Sequence, residues 1–161
     1  MMRDLLLQKW AQVRIGLLDT IAKFEDAELG YRPFDKAYSA GEHATRAHAG
    51  GHRGALRPPA QFAELPPAHV ATSYADKASI VAVLTAPHAA TVSYREGLND
   101  HEVMAEVELP WGQTARRIGM LWHVLEHEAH PRAELSLMLG LLGREGLDAW
   151  PNAPRNRSRT R

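Results

Sequence analysis

The sequence contains no cysteine. Disulfides, thiolate metal sites and a cysteine nucleophile are therefore excluded at the outset. A surplus of charge is missing as well. Nineteen basic and nineteen acidic residues leave a formal net charge of zero, so bulk electrostatics gives no reason to expect nucleic acid or a membrane surface as partner. There is no long apolar run at the N-terminus. Residues 1–8 hold a short apolar stretch, followed at once by Lys9 and Gln12, which is neither a secretory signal nor a membrane span. A cytoplasmic protein with no membrane and no nucleic-acid partner is the default expectation. No Gly-rich phosphate loop and no internal repeat stands out.

What is present is helical periodicity, in a chain of 161 residues that fits one domain. Leu6, Trp10, Val13, Leu17, Ile21 and Phe24 recur at steps of three and four, with Gln8, Lys9, Gln12, Arg14, Asp19 and Lys23 as the wet face. This predicts a helix from about Arg3 to Asp26, closed by Gly30 and Pro33. Ser39 and Glu42 form an S-x-x-E capping box that opens a second helix running to about His48. Pro58, Pro59, Pro66 and Pro67 forbid regular helix over the long connection that follows, which suggests a crossover. A third helix starts near Ala75 or Asp76, carries Ile80, Val83, Leu84, Val92 and Tyr94, is kinked by Pro87 within it and ends at Gly97 and Asn99. Residues 103–109 alternate apolar and polar but read as too isolated for a sheet. The fourth helix is the longest, from about Gln113 to Arg144, with Ile118, Leu121, Leu125, Leu135, Met138 and Leu142 on its apolar face. The reading is all-α: a four-helix bundle over residues 1–148, with 149–161 as a disordered basic tail bearing Arg155, Arg157, Arg159 and Arg161.

The fourth helix also carries the chemistry. Met120, His123, His127, His130, Glu134, Leu137 and Leu141 share one stripe. Three imidazoles and a carboxylate turned toward a helical interior are costly unless bonded or ligated. Two histidines four apart on a helix can hold one metal ion, because their rings project one above the other. His123 and His127 are such a pair, and His127 and His130 follow at a step of three. A further ligand must come from another helix, and His43, with His48 behind it, is the candidate. The competing reading is a hydrogen-bonded network of the histidines with Glu126, Glu128, Glu134 and Arg132.

The string from His123 to Leu135, His-Val-Leu-Glu-His-Glu-Ala-His-Pro-Arg-Ala-Glu-Leu, resembles the H-x-x-x-H-E-x-H-H-R-G-E-L signature of the DinB-like superfamily. Leu29 to Pro33 with Ser39 to Glu42 resembles the approach to that family's second helix, Pro110-Trp111-Gly112 its entry to the last helix, and Leu139 to Gly143 its end. The resemblance implies a four-helix bundle with a long crossover between helices 2 and 3. It also implies a divalent metal on three histidines, Zn or Ni, and thiol S-transferase or hydrolase chemistry on a small thiol or other small molecule. A homodimer and a part in stress response are implied too. This sequence departs from the pattern. His127 matches one ligand position, but Arg46 and Pro131 stand at the other two; arginine stays protonated and proline cannot coordinate. A displaced set of His43, His123 and His127 is the remaining metal site, lined by Arg46, His130 and Glu134. If helices 2 and 4 run antiparallel, the displacement moves those ligands apart.

Two further readings stand beside the enzyme. One is a bundle without metal or catalysis that binds a small ligand through Arg46 and the histidine stripe. The other is a structural dimer using a helix face with Trp10, Trp122 or Trp150, although tryptophans are more often core residues.

Overall fold

In the computed structural model, residues 2–49, 76–109 and 112–146 are described. Most of the connection between the second and third long helices, the Pro110–Trp111 turn, Trp150 and the tail arginines lie outside them. The elements are α1 (Met2–Ala22), a 3-10 turn (Asp26–Glu28), α2 (Ala40–Ala49), α3 (Lys77–Glu96), α4 (Asp100–Met104), β1 (Glu106–Glu108), β2 (Thr114–Arg116) and α5 (Arg117–Leu141).

The helix starts are set by side chains. The Ser39–Glu42 box forms as the sequence implies: Ser39 N–H donates to Glu42 Oε2 at 2.5 Å and Glu42 N–H to Ser39 Oγ at 3.2 Å. Asp76 accepts from the Ser79 N–H at 2.7 Å to open α3, and Asn99 and Glu102 cap α4 reciprocally. Such caps are worth about 1 kcal/mol each. At the far end of α5, Gly143 takes φ +74°. The Gly143 N–H then reaches the Gly140 carbonyl and the Arg144 N–H the Leu139 carbonyl, a Schellman closure that a side chain at 143 would strain.

Three apolar clusters fix the helix directions. Leu6 of α1 meets Leu98 and Val103, beyond and below α3, and Leu121 near the start of α5. Leu17 and Ile21, near the end of α1, meet Ile80 and Leu84 at the start of α3, Ala40 and Ala44 at the start of α2, and Leu135, Met138 and Leu139 late in α5. Between them Trp10 and Val13 pack on Val124 and Leu125. So α1 and α5 run one way and α2 and α3 the other. The strong contacts are α1 with α5, α5 with α2, α2 with α3 and α3 with α1. Consecutive helices α1 and α2 therefore sit across a diagonal, and the chain must return to the opposite end between α2 and α3, as the expected crossover requires. No helix among the described residues is long and apolar enough to cross a membrane.

Three expectations need correction. Residues 103–109 are not an isolated extended piece. Val103 belongs to α4, and β1 pairs antiparallel with β2, Glu106 opposite Arg116 and Glu108 opposite Thr114. The partner strand lies in what reads in sequence as the start of the last helix, so α5 begins at Arg117. Arg14, assigned to the wet face of α1, is 5 % exposed. It shares a stripe with Trp10 and Leu17 and is drawn inward by a buried carboxylate, Glu128, on α5. Finally, Trp10 is core but Trp122 is 48 % exposed. Both internal prolines sit within helices: α3 runs through position 87, whose side chain is outside the described residues, and α5 runs through the buried Pro131.

Candidate functional site

The face of α5 turned toward α2 is built from the histidine stripe. His123 and His127 lie one turn apart, and their Nε2 atoms stand 3.0 Å from each other with the rings edge to face. For a hydrogen bond, one Nε2 must carry a proton and the other a lone pair; with two lone pairs, the same geometry presents two donors to one cation. His123 Nδ1 is 3.4 Å from Glu126 Oε2. A proton held there leaves Nε2 of His123 as the lone-pair nitrogen.

The stripe does not face a helical interior, contrary to expectation. His123 is exposed and His127 half-buried, while His130, Glu134, Leu137 and Leu141 all reach solvent. The groove between α2 and α5 is the solvent-facing seam of their contact, with Arg46, His123, His130 and Glu134 exposed along it. Burial holds the His127 imidazole below its usual value. The neighbouring His123 and His130 push the same way, Glu126 opposes them, and Arg46 lowers it further. A neutral imidazole at pH 7 keeps its lone pair.

His43 goes elsewhere. It is 6 % exposed, and its Nδ1 sits 2.7 Å from Glu134 Oε2, at ion-pair distance but without hydrogen-bond alignment. Burial is the main reason its value lies below normal, Glu134 pulls it back up, and Arg46 lowers it again. Because α2 runs antiparallel to α5, His43 at the start of α2 meets Glu134, whereas Arg46, one turn on, is the residue whose charge acts on His127. Glu134 lies about 16 Å beyond His123 along the axis at 1.5 Å per residue. The structure thus brings His123 and His127 together and leaves His43 with Glu134. Among the described residues, no group of three or more histidines and carboxylates is arranged to hold a metal ion. The His48 side chain lies outside them.

Arg46, exposed on the same seam, rests on an aromatic ring. Its guanidinium carbon is 4.2 Å from the centre of the Tyr38 ring, a cation–π contact that holds an otherwise exposed charge. Tyr38 also packs edge-on to His43, with centroids 5.7 Å apart. In sequence Tyr38 reads only as a staple for α2. Its role as the shelf for Arg46 follows from lying one residue before the Ser39 cap, and a cation two turns into the helix above it was the available signal.

Three comparisons bear on this arrangement. The family model described as "DinB family" matches residues 1–153. No curated protein matches. Among solved structures, the chain is similar to a DinB-like protein from Bacillus cereus, with TM-score 0.61, 12 % identity and coverage of 88 % of this chain and 93 % of that one. It is also similar to a DinB-like protein from Bacillus subtilis, with TM-score 0.62, 15 % identity, and coverage of 88 % and 94 %. At those identities the likeness is one of fold.

Proposed function

The chain belongs to the DinB family, and on that premise we propose that it acts on a small molecule at the α2–α5 groove, with His123 and His127 as a two-point chelate for a divalent transition metal and Arg46 as a fixed cation beside it. The three-histidine centre implied by the resemblance does not fit these residues. Arg46 and Pro131 stand at two ligand positions, and His43 is engaged by Glu134. A two-imidazole chelate does fit. Two nitrogens bound to one ion at about 2.0–2.1 Å lie roughly 3 Å apart, and the observed separation is 3.0 Å. That single distance carries the reading. The lowered His127 value supports it by favouring a neutral ring with an available lone pair, and the Glu126 carboxylate supports it by accepting at His123 Nδ1, which leaves Nε2 to face His127.

When bound, such a metal supplies Lewis acidity toward a thiol or water, which fits thiol transfer or hydrolysis. The protein's own groups do the rest. Arg46, braced on Tyr38, would orient an anionic part of the substrate. His130 and Glu134 would line the approach.

A second reading is favoured by the Arg46–Tyr38 contact itself: a metal-free groove that binds a small anionic ligand on Arg46 and His127. Mass spectrometry for metal on untagged protein, incubated with zinc, nickel and manganese and then desalted, separates the two. One metal per chain, lost in His127→Ala, supports the chelate and justifies assays with thiol substrates. No retained metal leaves the anion-binding groove.

A further inference from the structure

On the opposite side of α5, three helices bring charged groups into the interior without balancing them. Arg14 of α1, Arg95 of α3 and Glu128 of α5 are 5 %, 1 % and 0 % exposed. Arg14 Nη1 lies 3.3 Å from Glu128 Oε1, and its Nη2 donates to the Leu84 carbonyl. Arg95 has no carboxylate at ion-pair distance among the described residues. Its Nη2 donates to the Leu121 carbonyl at 3.0 Å, and its guanidinium carbon sits 3.7 Å from the centre of the Trp10 ring. Burial pushes Arg95 down to about 10, with Glu128 the charge that pulls it back up. It is therefore protonated at neutral pH. Two buried guanidinium groups stand against one buried carboxylate, which Arg14 alone engages, and Arg95 Nε and Nη1 have no hydrogen-bond partner among the described residues.

A buried cation with two unmet donors is an expensive state. The Trp10 face and one carbonyl compensate it only in part. Water could meet the two N–H groups but not the uncompensated charge. His88 is the most exposed member of the group, its ring 4.3 Å from that of Trp10 and its Nδ1 3.6 Å from Glu128 Oε1.

We propose that Arg95, on the face bounded by Trp10 and His88, binds a small monovalent anion, a halide or a one-carbon carboxylate, through Nε and Nη1. One excess positive charge among Arg14, Arg95 and Glu128 sets the valence, and the near-complete burial of all three selects for a small ion. The site is separate from the α2–α5 groove and does not depend on a metal there.

The test is a thermal-melt titration of metal-free, full-length protein with sodium chloride or sodium formate. Sodium gluconate, too large to enter, holds ionic strength constant. A saturable rise of about 3 °C is expected with the anion that binds. A response to chloride identifies a halide site, and a response to formate alone a carboxylate site. Arg95→Met should abolish the rise. Should that variant fail to fold, Glu128→Gln, which keeps an acceptor for Arg14, carries the test: removing the competing negative charge should tighten anion binding roughly tenfold. Equal, non-saturating shifts with all three salts, or a saturable rise unchanged in Arg95→Met or Glu128→Gln, would overturn the proposal and assign the Arg95 donors to water.

Discussion

His127 and Glu128 are consecutive residues on α5, yet they belong to different environments. His127 turns toward α2, half-buried beside an exposed His123 and a cation held on Tyr38. Glu128 turns toward α1 and α3, fully enclosed, against Arg14. The helical rotation of about 100° per residue is enough to separate a wet groove from a dry charge cluster. The contrast teaches where each kind of energy resides. In the groove, polar groups can exchange partners with solvent, so substitutions there should alter binding and protonation more than folding. In the core, the same kinds of groups have no solvent to turn to, and removing one strands the others.

The sharpest way to break this comparison is to truncate both residues. Glu128→Ala leaves Arg14 and Arg95 buried without their carboxylate and should cost about 3–5 kcal/mol in urea unfolding. His127→Ala should stay within about 1 kcal/mol in the absence of metal. Similar losses at the two positions would mean that the groove depends on its polar partners as strongly as the core does. A smaller effect is expected at the start of α2. Ser39→Ala removes the acceptor for the Glu42 N–H and should cost about 1 kcal/mol by the same measurement. Because α2 carries His43 and Arg46, that variant should also loosen the groove, read as increased amide exchange over residues 40–46.

Protonation offers a finer test. His43 and His127 both titrate below their usual value, chiefly through burial. Just below the unfolded value of about 6.5 the unfolded chain therefore binds more protons than the folded one. Their contribution to stability is complete above that value and falls as pH drops through the window between 6.5 and the depressed folded values. Melts from pH 7.5 to 5.5 should show the midpoint falling, and His43→Gln should flatten the fall. A midpoint that rises over the same interval would reverse the sign of the argument. The smallest expected effect is on His127 alone. Arg46→Ala removes one of the charges that lowers it, so its NMR titration midpoint should move up while the unfolding free energy hardly changes.

The bundle was legible because burial follows helical period: Trp10, Leu17, Ile21, Leu121, Leu125, Leu135 and Met138 are all core. The crossover was legible from proline spacing and the capping box from its four residues. The β1–β2 ribbon was not, since the alternation over residues 103–109 had no visible partner and Thr114 to Arg116 adjoin a long helix. The outward turn of the histidine stripe was hidden by its apolar flanks. Leu137 and Leu141 suggest core, yet they are 66 % and 57 % exposed. Arg14 and Arg95 were missed because a charge on an apolar stripe reads as surface until its partner is known. Glu128 is that partner for Arg14, and no local spacing connects residues 14, 95 and 128. The pairing of His123 with His127 was legible from their spacing of four, whereas the separation of His43 needed the direction of α2.

The most direct test of the two-histidine chelate is the imidazole nitrogen spectrum of the metal-free protein before and after one equivalent of zinc, with single His→Gln variants for assignment. The account expects large shifts at the Nε2 atoms of His123 and His127 and none at His43, which stays with Glu134. Shifts at His43 together with His127, or no shift at the 123–127 pair, would contradict it.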